Sequence, residues 1–345
     1  MFEVIWFLLL FLLWAVYFAL DGFDMGLGML LPFAATNEGH RRIVYNAAGP
    51  FWDGNEVWLI SAGGVTFAAF PKTYAYMFSV LYVPLLLLLF CLILRAVSFE
   101  FRNKIDSQFW RGLWDTVHFV TNLVAALLLG VAFANLFAGV PFDASGVLHG
   151  SLFSFLSFYA LVGGLFFGSA FALHGALWLC WRTGSECLQD RTLCFINLLW
   201  PATLLLLLAF LFLTPYNTDL FKNYFASPYL ALFLIPVVAL IAFFAVPALL
   251  AKQKVLAAWG ANCVFIIGIV FFGAMGMFPR LLISSHDSAA TLTAFNSASS
   301  PLTLKIMLVV AIIMVPIVLA YQFWAYRLFS HKLDPDEIME DEHAY

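Results

Sequence analysis

The sequence is short of charge. Only 10% of its 345 residues are Asp, Glu, Lys or Arg, whereas a soluble domain carries about 25%. Hydrophobic residues make up 64% of the chain, and the mean hydropathy is +0.96. This composition excludes an ordinary soluble globular protein and is typical of a protein that crosses a membrane several times.

Several motifs of known chemistry are also missing. The sequence has no P-loop, no GxGxxG after a strand, no HExxH, no nucleophile elbow and no CxxCH. The five cysteines lack the close spacing of a zinc site, so no metal site and no disulfide framework are expected. Because the pI is about 5.9 and no basic patch occurs, nucleic acid is not an expected partner.

Nine stretches without Asp, Glu, Lys or Arg are candidates for membrane-spanning helices, which need about 20 residues. The predicted fold is therefore an all-α polytopic membrane protein of about nine transmembrane helices. The second stretch is short, so its helix should begin near Asp53. The fifth is long, so its first part, with Gly146, His149 and Gly150, is predicted to be a loop. The stretches are 4–20, 57–71, 73–94, 116–142, 144–181, 192–218, 223–251, 255–279 and 306–326.

The basic residues predict the orientation. With nine spans, one side of the membrane holds twelve of the sixteen Lys and Arg residues, from Arg41 to Lys332. The other side holds Lys72, Lys222, Arg280 and Lys305. The positive-inside rule then places the N-terminus outside and the C-terminus in the cytoplasm. We predict a single transmembrane helical domain over residues 1–330 and an acidic cytoplasmic tail over 331–345, which contains Asp341 and Glu342.

Two carboxylate motifs stand out in this apolar chain. Asp21 and Asp24 close the first stretch, and Asp53 and Glu56 open the second. A carboxylate costs about 2.5–3.5 kcal/mol at a bilayer centre. Residues three apart share a helix face, so the four acids converge at the inner membrane edge if the two helices are neighbours. Acids packed in this way should not all ionise, and a carboxyl that holds a proton near neutral pH suits a proton path.

Structural roles compete with this interpretation. Asp53 and Glu56 have the spacing of a capping box, with Asp as N-cap and Glu at N3. Asp21 and Asp24 lie toward the C-terminal side of a helix, where the dipole disfavours acids, so capping does not explain them. For these two the alternative is a structural ion pair with Arg41, Arg42 or Arg95. Structural ion pairs are also expected to involve Arg95, Glu100 and Arg102.

Only two histidines lie in the predicted spans. His118 and His174 have no matched His or Met partner that would mark a haem site. We interpret both as buried polar contacts rather than haem ligands.

Several motifs together resemble subunit II of the cytochrome bd quinol oxidases. The resemblance is carried first by Asp21-Gly-Phe-Asp-Met-Gly-Leu-Gly and by Trp52-Asp-Gly-Asn-Glu-Val-Trp-Leu-Ile. It continues through Arg95-Ala-Val-Ser-Phe-Glu-Phe-Arg-Asn-Lys, Gly130-Val-Ala-Phe-Ala-Asn-Leu and Gly139-Val-Pro-Phe. It returns at Met277-Phe-Pro and at Ser299-Ser-Pro-Leu-Thr-Leu, so it covers nearly the whole chain.

The resemblance implies a bacterial or archaeal cytoplasmic membrane protein and a set of partners. A homologous subunit I would hold haem b and haem d, oxidise quinol and reduce dioxygen to water, while subunit II would hold no haem ligand. A small single-helix accessory subunit and a structural quinone within this chain are also implied. By the same resemblance Asp53, with Asp21 or Asp24 and with Glu56, belongs to a cytoplasmic proton-uptake path, and Trp58 lies near an oxygen entry.

Two other functions stay open at this point. A proton-coupled secondary transporter would also use acids, placed near broken helices. A scaffold subunit would have no conducting residue at all.

Overall fold

The computed structural model describes residues 1–226, 230–340 and 345. Helices form nearly all of it, and two short strands, β1 (Arg280–Leu282) and β2 (Leu292–Thr293), pair antiparallel. The helices are α1 (Phe2–Ala34), α2 (Glu38–Ala48), α3 (Trp52–Ala69), α4 (Pro71–Val80), α5 (Tyr82–Phe101), α6 (Gln108–Ala138), α7 (Phe158–Arg182), α8 (Glu186–Asn217), α9 (Leu220–Ala226), α10 (Leu234–Ala251), α11 (Val255–Met277), α12 (Pro301–Leu328) and α13 (Pro335–Glu340).

Eight helices in the described part of the chain are long and apolar enough to cross a membrane. They are α1, α5, α6, α7, α8, α10 with the turn before it, α11 and α12. Helix α3 has 18 residues, about 27 Å of helix, and runs beside α12 from end to end. Its first turn accepts a hydrogen bond from Tyr326 at the end of α12, and the Ala69 carbonyl accepts one from Ser299 just before α12. The all-α polytopic fold is therefore confirmed, with eight candidate spans in the described part of the chain. The predicted number of about nine spans, in which α3 would be the ninth, stays a prediction.

The bundle has two distinct ends. The basic end contains α2, α13 and the last turns of α1, α5, α7 and α12, joined by bonds such as Trp178 Nε1 to the Ala47 carbonyl at 2.8 Å. The loop end contains segments 139–157 and 278–300, which meet where Val140 N donates to the Ile283 carbonyl at 2.9 Å. Met1 and Tyr345 lie at opposite ends. The placement of the basic end in the cytoplasm stays a prediction.

Helices α1 and α7 form the centre of the bundle. In the most apolar 18-residue segment of α7, 83% of the residues are buried, whereas in that of α12 only 6% are. The two central backbones touch at Gly26 and Gly175. A Cβ on Gly26 would lie 2.0 Å from the Phe171 carbonyl oxygen and 2.7 Å from Gly175 N, so only glycine allows this approach.

Helix α1 is longer than predicted. The first charge-free stretch ended at residue 20, but the helix continues through Asp21 and Asp24 to Ala34. The acids therefore lie inside the helix, and the argument that placed them at its C-terminal side was wrong. The reason is that α5 supplies a buried arginine to this region, which lets a carboxylate remain within the helix.

Other helix bounds differ for the same reason. Helix α5 runs past Arg95 to Phe101, and α6 begins before Asp115, because both charged residues are paired.

The stretch predicted at 73–94 is divided at Leu81 into α4 and α5. The stretch predicted at 223–251 includes residues 227–229, which lie outside the described residues. The predicted loop with Gly146, His149 and Gly150 is confirmed, since α7 begins only at Phe158.

The tail is partly packed against the bundle. Leu333 N donates to the Arg182 carbonyl at 2.7 Å, and Leu333 and Ile338 are buried. Helix α13 lies against α2, so this part of the acidic tail is held against the basic end of the bundle. Asp341 and Glu342 lie outside the described residues.

Candidate functional site

Arg95 joins two of the four predicted acids. Its guanidinium lies 2.8 Å from Asp21 Oδ1 and 3.0 Å from Glu56 Oε2. The side chains of Arg95 and Asp21 are both fully buried, and that of Glu56 is 20% exposed. Three helices, α1, α3 and α5, each supply one charge. The ion-pair alternative is thus correct for Asp21, with Arg95 as the partner.

Asp24 lies one turn away in a different environment. It is 2% exposed, and its Oδ2 accepts a hydrogen bond from Asn55 Nδ2 at 2.8 Å. Its Oδ1 is buried without a hydrogen-bond partner in the described part of the chain. Burying an unpaired carboxylate is costly, so Asp24 is the acid of this site best suited to hold a proton.

A polar chain extends from Asp24 to α12. Asn55 Oδ1 accepts from the Tyr326 hydroxyl at 2.8 Å and from Gln322 Nε2 at 3.3 Å. Gln322 Oε1 in turn accepts from Trp58 Nε1 at 3.0 Å. Trp58 is 6% exposed, so this chain ties α1, α3 and α12 together inside the bundle.

Asp53 lies apart from these groups. It is exposed on the first turn of α3, so the four acids do not form one buried cluster. The N-cap of α3 is Phe51, with no side-chain cap hydrogen bond. The capping-box interpretation was therefore wrong. Helix α3 begins at Trp52, so Asp53 lies inside the first turn and not at the N-cap. Glu56 bonds to Arg95 and not back to the start of the helix.

A second ion-pair group lies at the basic end. Arg102 contacts Glu38 at 2.8 Å and Asp115 at 2.6 Å. Burial alone would raise the pKa of Glu38, but the hydrogen bonds and charge of Arg102 outweigh it and lower the pKa. Arg102 is thus in an ion pair as predicted. Glu100 is not, among the described residues: it is exposed and accepts a hydrogen bond from the Tyr345 hydroxyl at 3.3 Å.

Both histidines of the spans have protein partners, as predicted. His174 Nε2 lies 2.8 Å from the Ala19 carbonyl oxygen, and its Nδ1 lies 3.0 Å from Asn262 Nδ2. His118 Nδ1 lies 2.7 Å from the Ser98 hydroxyl. The described residues contain no group of three or more His, Cys, Asp or Glu that could hold a metal ion. That neither histidine ligates a haem stays a prediction.

Reasoning from the sequence missed three members of the site. Asn55, Gln322 and Tyr326 link Asp24 to Trp58. Asn55 was visible between two acids of the second motif. Gln322 and Tyr326 are four residues apart, which is the spacing of one helix face, and they interrupt an apolar helix. That spacing was the available signal.

The sequence matches a known family over residues 2–329, described as cytochrome bd terminal oxidase subunit II. The chain belongs to this family. It is 35% identical over 340 residues to the Bacillus subtilis protein named cytochrome bd ubiquinol oxidase subunit 2, covering 97% of this chain and 98% of that protein. It is 34% identical over 378 residues to the Escherichia coli K12 cytochrome bd-I ubiquinol oxidase subunit 2, covering 99% and 98%.

The fold agrees with family membership. The structure of bd oxidase from Geobacillus thermodenitrificans superposes with a TM-score of 0.77, covering 95% of this chain and 98% of that one at 20% identity. This likeness shows the fold. With its apolar helices, the chain is a multi-pass protein of the bacterial cytoplasmic membrane and a subunit of a terminal oxidase complex, which pairs it with a subunit I and with haem in that complex.

Proposed function

We propose that this chain carries protons from the basic end of the bundle toward redox chemistry in subunit I. In this proposal subunit I holds haem b and haem d, oxidises quinol and reduces dioxygen to water. The observation that carries the proposal is Asp24, a buried carboxyl with one oxygen unpartnered among the described residues. Asp21 Oδ1 also lacks a hydrogen bond, but it lies 2.8 Å from the Arg95 guanidinium in an ion pair, and Asp24 Oδ1 forms no such ion pair with another described residue.

In this proposal each acid of the site has a different role. Asp53, exposed on the first turn of α3, takes protons from the aqueous side. Asp21 and Glu56 are held by Arg95, so they set the local charge. Asp24 receives the proton, and Asn55 orients its carboxyl through the 2.8 Å hydrogen bond.

The transporter alternative lacks its structural basis. A transporter places its coupling acids at discontinuous helices, but Asp21 and Asp24 lie within the unbroken helix α1. Family membership also favours the oxidase role.

The exposed face of α12 and α3 suits the docking of subunit I. Helix α12 is the least buried of the eight long apolar helices in the described part of the chain. On α3, a Cβ at Gly54, Gly63 or Gly64 would meet nothing within 4 Å. Small residues permit close packing of a further helix. The small single-helix accessory subunit stays a prediction.

An apolar cavity of about 660 Å³ lies between α1, α3, α4 and α5. Leu59, Ile60 and Gly63 line it from α3, directly after Trp58. We assign it to oxygen access, because apolar dioxygen enters apolar space without a desolvation cost. The same cavity fits the isoprenoid tail of a structural quinone, with Tyr74 and Tyr82 as the hydroxyl groups at hand.

The experiment is a variant series in the assembled complex. Asp24→Asn and Asp53→Asn each remove one proton-carrying group with little change of shape. We expect oxygen consumption to fall about 100-fold or more in each, because positioned proton transfer groups contribute about 10²–10⁴, while the haem absorbance of the complex persists. Glu100→Gln is the matched control, since Glu100 is an exposed acid outside the site, and its turnover should equal wild type.

Two results would overturn the proton role. Wild-type turnover in both Asn variants would mean that this chain is a scaffold subunit with no conducting residue. Loss of haem together with turnover would show that the acids serve assembly.

A further inference from the structure

A second cavity lies at the basic end, away from the acids. It measures about 820 Å³ and opens between the end of α7, the start of α8 and the turn from α10 to α11. Trp181, Leu193 and Leu250 give it apolar walls. The volume is within the range of pockets that bind small molecules, about 300–1,000 Å³.

The mouth of this cavity is cationic. Lys254 and Lys332 line it and are exposed, and neither forms an ion pair with another described residue. The charged side chains that line the cavity are these two lysines, and no Asp or Glu is among its described lining residues. An anion is therefore the favoured occupant.

Helix α11 adds to this preference. Its first turn, Val255 and Leu256, lines the cavity directly after Lys254. The N-cap Lys254 makes no side-chain cap hydrogen bond. The positive end of the helix dipole therefore faces the same space as the two ammonium groups.

We propose that this cavity binds an anionic glycerophospholipid from the leaflet at the basic end. The phosphate would lie between Lys254 and Lys332, and the acyl chains would follow Leu193 and Leu250 along the bundle. Basic pockets between transmembrane helices on the cytoplasmic side are typical of such headgroup sites. A free phosphate ion matches the lysines but leaves the apolar walls uncovered, so the lipid is the better fit.

The test is lipid retention by the complete oxidase complex. Complex purified from nanodiscs of dioleoylphosphatidylglycerol or of dioleoylphosphatidylcholine is analysed by native mass spectrometry. Wild type should retain phosphatidylglycerol and lose phosphatidylcholine. Each lysine near a membrane surface contributes about a fivefold gain in affinity for anionic lipid. Lys254→Gln with Lys332→Gln should therefore weaken retention about 25-fold.

The matched control carries the same change of net charge elsewhere. Lys104→Gln with Lys305→Gln alters two exposed lysines outside the cavity and should retain the lipid as wild type does. Equal retention of both lipids by wild type, equal loss in both double variants, or full competition by inorganic phosphate would each overturn the proposal. If Lys254→Gln with Lys332→Gln fails to assemble, each single variant should weaken phosphatidylglycerol retention about fivefold, and wild type should lose this lipid at high salt. Unchanged retention in these measurements would overturn the proposal.

Discussion

Arg95 determines how the nearest carboxyl groups behave. Its guanidinium contacts Asp21 at 2.8 Å and Glu56 at 3.0 Å from a fully buried position. A buried ion pair stabilises a protein little by itself, because desolvation offsets the attraction, but the loss of one partner leaves an uncompensated charge. Among the described residues, Asp24, one turn along α1, has the neutral Asn55 as its one hydrogen-bond donor.

We expect Arg95→Met to lower the free energy of unfolding by about 3–5 kcal/mol, because Asp21 and Glu56 then stay buried without their cation. The triple change Asp21→Asn, Glu56→Gln and Arg95→Met should recover most of this loss. The measurement is the thermal unfolding midpoint of the purified complex.

Arg111→Met provides the control for that series. Arg111 pairs with Asp106, whose side chain is 95% exposed, and an exposed pair contributes under about 1 kcal/mol. If the single and the triple variants at Arg95 are equally destabilised, the cluster does not act as a charge unit.

The lowered pKa of Glu38 predicts that the stability of the basic end depends on pH. Its folded pKa lies below the ordinary value of 4.5 because the Arg102 interaction outweighs burial. Its contribution to stability is therefore complete above pH 4.5 and is lost as the pH falls from there through the folded pKa. Amide hydrogen exchange of α2, corrected for intrinsic rates, should accelerate over that window. In Glu38→Gln this acceleration should vanish, and a wild-type profile in that variant would refute the assignment.

At the scale of elements, helix length follows from where charges find partners. Helices α1, α5 and α6 all extend through charged residues that marked the limits of the charge-free stretches. The contact of α1 with α7 then places Asp21 and Asp24 in the centre of the bundle. This contact depends on backbone approach at Gly26 and Gly175.

Gly26→Ala should abolish assembly of the complex or lower its yield severely. The added methyl would lie 2.0 Å from the Phe171 carbonyl oxygen, and backbone cannot rotate aside as a side chain does. The measurement is the yield of haem-containing complex after purification.

Gly112→Ala is the matched helical control. Nothing lies within 4 Å of a Cβ at Gly112, and alanine favours a helix over glycine by about 1 kcal/mol. Its yield should equal or exceed wild type. A normal yield from Gly26→Ala would show that α1 and α7 are not in backbone contact.

At the scale of the whole molecule, the bundle separates a basic end from a loop end. Arg41, Arg102, Arg182 and Lys332 lie at the basic end, while Arg280 and Lys305 lie at the loop end. The acid site lies nearer the basic end, where Arg95 approaches the end of α5. Proton uptake at that end and the lipid site both require it to face the cytoplasm.

Native Cys187 tests this orientation. It is exposed on the first turn of α8 at the basic end. A membrane-impermeant maleimide should label it in inverted vesicles and leave it unlabelled in intact spheroplasts. Cys187→Ser should remove the signal and so identify the site of labelling. Labelling in intact spheroplasts would reverse the predicted orientation.

The sequence by itself determined the class of fold and the motifs of the family. Low charge and long apolar stretches require helices that satisfy their own backbone hydrogen bonds in the bilayer, and the acid motifs were visible by their rarity. It also predicted that His118 and His174 are polar contacts. These inferences depend on composition and local spacing alone.

Only the tertiary structure decided which of the four acids is ion-paired, which is buried without a cation and which is exposed. Asp21, Asp24, Asp53 and Glu56 lie in similar local sequences, but Arg95 contacts Asp21 and Glu56 from another helix, and Asn55 contacts Asp24 from another helix. Their environments depend on helix packing between residues far apart in the chain, which no local pattern encodes. For the same physical reason the lengths of α1, α5 and α6 could not be read from charge alone: a charge ends an apolar helix only where no partner from another helix neutralises it.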